Sequence, residues 1–251
     1  MQSVRLLGKI IPECLQVSLE LKPTATWEAE SMGVVELSSH IKQSRIDVEC
    51  CLADYRPEYL PEIYIRALDM CRAQVDLVGF KKGWGLSVIL ESFVDHNGVT
   101  TPIALTHDEL GTLCTAYGFD DNFRELSTKV LENPARFMAL RDLISAISVP
   151  HVSLVDCARS LERLRHTIAN PNSKDADAWE ELRELLHVDK AYLKYVTDHS
   201  RDGRHGRPGY VPGTITTEVT RRAWIIMNRY LEYLKLDGGA LSIDEFPLLT
   251  G

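Results

Sequence analysis

In Arg45-Ile46-Asp47-Val48-Glu49-Cys50-Cys51-Leu52, the apolar residues Ile46, Val48, Cys50 and Leu52 alternate with Arg45, Asp47 and Glu49. Successive side chains of a strand point to opposite faces, so this period of two predicts a strand with one face buried and one solvated. Leu15, Val17, Leu19 and Leu21 repeat the pattern against Gln16, Ser18 and Glu20, and Val4–Ile11 and 33–39 read as further strands. The residues of 86–94 favour strand, and His96-Asn97-Gly98 then predicts a hairpin turn into a strand over 99–105, because Asn-Gly tolerates positive φ. One helix interrupts these strands. Pro61 suits a first turn, and Tyr64, Leu68, Cys71, Val75 and Val78 recur at helical spacing. Residues 1–106 therefore predict an antiparallel sheet with a helix packed on one face.

From about His107 the apolar period becomes helical. Helices are predicted over 108–117, 122–132, 135–147, 151–168, 177–187, 191–199 and 218–235, with Pro134, Pro150 and Pro171 at the breaks. Thr216 or Thr217 is the expected cap of the last of these. Val219, Ala223, Met227, Tyr230 and Leu234 form its core stripe, while Trp224, Ile225 and Leu231 widen the apolar surface enough to suggest packing on a second copy. The tail 238–251 is expected to pack loosely. The fold class is α+β, with a sheet-and-helix domain over 1–106 and a helical bundle over 107–251.

Composition narrows the function classes. Thirty-six acidic against 28 basic residues leave a net charge of −8, which argues against a general nucleic-acid coat protein while permitting a local basic pocket. The six cysteines lack a C-x-x-C pair, and adjacent Cys50 and Cys51 would face opposite ways on a strand. Reduced thiols in the cytoplasm are expected, with neither a disulfide framework nor a zinc ribbon. No apolar run has the ~18 residues that a membrane span requires. Gly79-Phe-Lys-Lys-Gly83-Trp-Gly85 runs from helix into strand, the reverse of a phosphate-binding loop, and reads as a tight connector. The acidic helix start at Asp175, Asp177, Glu180, Glu181 and Glu184 suits the helix dipole and predicts no metal site. No serine-hydrolase elbow, zinc-protease helix or dinucleotide fingerprint is present, and no cofactor is expected.

The chemistry-bearing stretch is His199-Ser-Arg201-Asp202-Gly-Arg204-His205-Gly206-Arg207, followed by the loop Pro208-Gly-Tyr-Val-Pro212-Gly213. A neutral imidazole can take a proton from a ribose 2′-hydroxyl, and an arginine fork can stabilise the charge that builds on phosphorus. Arg201 and His205, four residues apart, would share a face on a continuing helical turn. Arg159, Arg163 and His166 form a second stripe on the predicted helix 151–168, so the two sets are candidates for one basic groove. Arg221, Arg222 and Arg229 are candidates to extend it.

A helical domain with arginine, a polar residue and then His-Gly between its last two long helices resembles the HEPN superfamily, especially its abortive-infection-like branch. The resemblance covers roughly residues 150–236. Only Asp202, Gly203 and Arg204 separate arginine from histidine, closer than is usual there. It implies a helical bundle that often dimerises, and either a metal-independent RNase or a non-catalytic binder of nucleotides or partners. By position, Arg201 would stabilise the phosphate, Asp202 would be its polar neighbour, and His205 would be the acid/base. His199, Arg204, Arg207, Arg159, Arg163 and His166 would bind RNA or nucleotide phosphate. The resemblance also implies a homodimer through the helical domain and a role in defence or stress. The competing expectation is a non-enzymatic interaction module, with the Arg/His loop solvated and the β domain offering an edge strand or flat apolar face to a partner.

Overall fold

The structure is a computed structural model that describes residues 1–20, 24–104, 107–117, 121–169, 174–204 and 211–251. The chain divides into two compact units, Met1–Ala104 and Leu105–Gly251. The fold is α+β.

The first unit is a six-stranded antiparallel sheet: β1 (Gln2–Ile11), β2 (Thr24–Ala29), β3 (Gly33–Lys42), β4 (Arg45–Leu52), β5 (Ser87–Val94) and β6 (Thr100–Pro102), in the order β2-β3-β4-β1-β5-β6. The alternation read in β4 is the alternation of burial. Ile46, Val48, Cys50 and Leu52 are buried together with Val4, Leu6 and Ile10 of β1. Each such side chain contributes about 1.5–3 kcal/mol by leaving water, so a one-residue slip would reverse four of them at once. Helix α1 (Leu60–Lys82) closes this core with Ile63, Tyr64, Ala67, Leu68, Cys71 and Val75. It ends at Gly83, where φ is +66° and the Trp84 amide returns to the Gly79 carbonyl at 2.9 Å. Residues 79–85 are thus a helix C-cap, the tight connector expected. At Gly8, beside the irregularity in the β1–β5 register, a Cβ would run into the Ile89 carbonyl oxygen.

Three sequence expectations for this unit are corrected. Residues 15–20 do not form a strand. A short 3-10 turn covers Glu13–Leu15, and the chain then crosses the end of the β3–β4 hairpin, where Ser44 and Val17 exchange hydrogen bonds and Leu19 makes an isolated bridge to Ile41. Val17 is buried there, so the apolar alternation has a use without a ladder; Leu21 lies outside the described residues. The second correction is β2, which sequence reading passed over because Trp27 is its one large apolar residue. The third is β6, which spans Thr100–Pro102 only, although the Ile103 amide beyond it still donates to the Glu91 carbonyl of β5 at 2.8 Å.

The second unit contains α2 (Asp108–Thr112), α3 (Asp121–Leu131), α4 (Pro134–Ser148), α5 (Ser153–Ile168), α6 (Asp175–Leu185), α7 (Lys190–His199), α8 (Arg201–Arg204) and α9 (Gly213–Lys235). The core gathers on α9, whose Val219, Ala223, Ile226, Met227, Tyr230 and Leu234 are buried against α4, α5 and α7. Leu231 is buried here too and Trp224 packs on this core, so most of the width that suggested a second copy is used within the domain. The predicted helix 108–117 stops at Thr112, because the Thr115 and Ala116 amides go to the Asn228 side-chain oxygen of α9 at 2.9 and 3.2 Å. Helix α9 starts at Gly213, so Thr216 and Thr217 lie inside it and do not cap it.

The tail is fastened, contrary to expectation. Val188 bridges Leu249, the His187 carbonyl accepts the Leu249 amide at 2.8 Å, and the Asp189 amide donates to the Leu249 carbonyl at 2.9 Å. Among the described residues, no helix is long and apolar enough to cross a membrane.

Candidate functional site

Helix α7 begins at Asp189, whose carboxylate accepts the Tyr192 amide at 2.6 Å and caps the first turn. Tyr192, Tyr195 and His199 follow at i, i+3 and i+7 and therefore share one face of α7. Arg222 of α9 reaches that face. Its guanidinium carbon lies 4.6 Å from the Tyr192 ring centre and 4.1 Å from that of Tyr195, while its Nε donates to Glu218 at 2.7 Å. The Tyr195 and His199 rings are 4.4 Å apart, so an arginine, a tyrosine and a histidine stack in sequence. Burial raises the Tyr192 phenol above its ordinary range. Its hydroxyl has no hydrogen-bond partner among the described residues.

His199 Nδ1 lies 2.7 Å from the Tyr195 carbonyl oxygen. A carbonyl only accepts, so Nδ1 carries the hydrogen and Nε2 carries the lone pair in the neutral ring. Arg201 opens α8 immediately beyond buried Ser200, and its side chain is exposed. Gly203 sets α8 close to α5: a Cβ there would stand 3.0 Å from a Val155 methyl. His205 and Arg207 lie outside the described residues, as does the side chain of Arg204.

The stripe on α5 is otherwise engaged. Arg163 Nε donates to Asp142 of α4 at 2.6 Å, and Arg159 pairs with Asp156 one turn back at 3.3 Å. His166 Nε2 accepts from Arg165 Nη2 at 3.0 Å, which is the only sense in which a guanidinium can bond. Arg165 also stacks on Trp179 at 4.9 Å. The partners of this stripe are thus Asp142, Asp156 and Arg165. Arg229, read from sequence as part of a basic patch, is buried; it donates to the carbonyls of Leu186, His187 and Pro247 at 2.7–2.9 Å. Burial lowers its pKa from the usual arginine value. Among the described residues no three His, Cys, Asp or Glu side chains converge as metal ligands. All six cysteines are free.

Sequence reading missed the two tyrosines and the stacked placement of Arg222. The available signals were Tyr192-x-x-Tyr195-x-x-x-His199 and Glu218-x-x-x-Arg222, each a set of neighbours on one helical face. The outer face of the sheet carries the pairs Arg5–Asp47, Lys9–Glu91 and Ser3–Glu49, and Arg5, Asp47 and Glu49 line a groove of about 370 Å³ together with Ser38, Ser39 and His40.

Residues 4–104 match the N-terminal domain, and residues 123–235 the C-terminal domain, of one family of unknown function, DUF8168. The chain belongs to the DUF8168 family. The family's C-terminal domain takes in α4 to α9, and so every described residue of the Tyr192–Arg222 cluster, and stops before the fastened tail. No curated protein and no solved structure matches the chain.

Proposed function

We propose that the helical domain of this DUF8168 protein binds RNA or nucleotide phosphate at the end of α7, and that it cleaves RNA there without a metal, as the HEPN-like motif implies. The observation that carries this reading is the placement of exposed Arg201 two residues beyond His199, whose Nδ1 is committed to the Tyr195 carbonyl so that Nε2, when protonated, donates to a phosphate oxygen. Arg201 stabilises charge on phosphorus, and His205 takes the 2′-hydroxyl proton. The 2′-oxygen attacks phosphorus and the bond to the 5′-oxygen breaks. The imidazolium returns its proton to the departing 5′-oxygen, leaving a 2′,3′-cyclic phosphate. His199, Arg204 and Arg207 hold the phosphate. In this reading the protein works in the cytoplasm, in defence or stress.

The test is cleavage of mixed-sequence RNA by the purified full chain in EDTA, beside His205→Ala and Arg201→Ala, with RNA binding followed by fluorescence anisotropy. Cleavage should fall at least 100-fold in His205→Ala, within the range expected for one acid/base, while binding persists. Cleavage that survives both substitutions refutes the residue assignment. A wild-type chain that neither binds nor cleaves RNA supports the interaction-module alternative.

A further inference from the structure

Strand β2 ends the sheet on one side, and among the described residues no strand bonds to its far edge. The opposite edge, β6, has three residues and closes on Pro102. β2 has six residues in regular register with β3, from Thr24 opposite Ser38 to Ala29 opposite Gly33, and contains no proline, lysine or bulge. Those are among the devices by which edge strands ordinarily refuse partners; the one charge on β2 is Glu28, and Lys22 and Pro23 precede the strand in sequence. Thr24, Thr26 and Glu28 point to the solvated face and are exposed. Trp27 and Ala29 point to the core side, and Ala25, on that same side, is nonetheless exposed.

We propose that β2 pairs antiparallel with β2 of a second copy of this chain, about a two-fold axis through Thr26. The segment Thr24-Ala25-Thr26-Trp27-Glu28 is complementary to itself in that register. Each Thr24 stands opposite Glu28 of the other copy, and Thr26 stands opposite Thr26. Each Ala25, with its uncovered side, stands opposite the large Trp27. No like charges meet, small residues face large ones, and both copies keep their cores on the same side of the continued sheet. This surface belongs to the N-terminal domain, not to the helical face that the family resemblance implies for dimerisation, and it is independent of the RNase reading.

Because Thr26 is exposed, its substitution leaves the core untouched. Sedimentation equilibrium of the full chain should show a reversible dimer, weakened about fivefold or more in Thr26→Lys and in Thr26→Glu, where like charges oppose across the axis. An equimolar mixture of the two variants should recover dimer at or above the wild-type level. Thermal unfolding of each variant at a concentration where all are monomeric should match wild type, which separates a lost contact from a lost fold. A wild-type chain that stays monomeric at the highest concentration reached overturns the proposal. So does a dimer equally strong in both variants, which would reside on another surface.

Discussion

Asp189 shows how much one side chain does in this protein. Its carboxylate accepts the Tyr192 amide at the start of α7 and the Gly251 amide at the end of the tail, at 2.6 and 3.2 Å. The Tyr192 amide is the largest cause of a pKa held below the usual carboxylate range, since it bonds the ionised form. A depressed carboxyl contributes stability that is present above its unfolded pKa, about 3.9, and is lost as pH falls below that value. Asp189→Ala should therefore cost about 1 kcal/mol in urea unfolding at pH 7, the worth of an N-cap. The gap from wild type should close in titrations carried down towards pH 2. A gap that persists undiminished in acid would mean that the carboxylate's charge is not what matters.

At the scale of elements, the fastened tail depends on a buried cation. Arg229 of α9 donates to carbonyls of the α6–α7 connection and to Pro247 of the tail, so it joins two segments that are distant in sequence from each other. Arg229→Met keeps most of the stem's volume but leaves the Leu186 and Pro247 carbonyls without the guanidinium donor, while the His187 carbonyl keeps the Leu249 amide. The loss should be on the order of 2–3 kcal/mol, consistent with buried acceptors left unpaired. Hydrogen exchange should then quicken for peptides spanning 246–251 while peptides of β1 and β4 keep their wild-type rates. Unchanged protection of the Leu249 amide in that variant would show that the Val188–Leu249 bridge holds the tail unaided. The same scale explains β2: an edge strand has one neighbour and a small share of core, so Trp27 and Ala29 suffice to hold it and little apolar pattern is written into it.

For the molecule as a whole, the buried thiols set a limit on the alkaline side. Cys50 and Cys71 in the first unit and Cys157 in the second are pushed up to about 12 by burial. In the unfolded chain a thiol ionises near pH 8.5, so between that pH and 12 the unfolded state sheds protons that the folded state keeps. Stability falls as pH rises through this window, by up to about 1.4 kcal/mol per pH unit for each thiol. The Tm should drop between pH 8 and pH 10.5, and the drop should be smaller in Cys71→Ala than in wild type. An equal drop in both would assign the effect to other groups, the raised tyrosines Tyr64 and Tyr230 among them. In the native state at pH 8, exposed Cys14 should react with a thiol reagent well ahead of these three.

The sequence by itself determined the α+β class and the faces that turn inward. β1, β4, α1 and α9 were legible because a strand or helix buried on one side repeats its apolar residues at its own geometric period, which is a local property of the chain. The Arg201 neighbourhood was legible as composition only, because charge density is local as well. Tertiary structure alone decided what those charges do. Arg163 turned to Asp142 on another helix, Arg229 was buried under a tail, and Arg222 was laid against Tyr192 and Tyr195. Each of these depends on which helices pack together and at what rotation, and that is settled by the whole core at once rather than by any stretch of sequence within it.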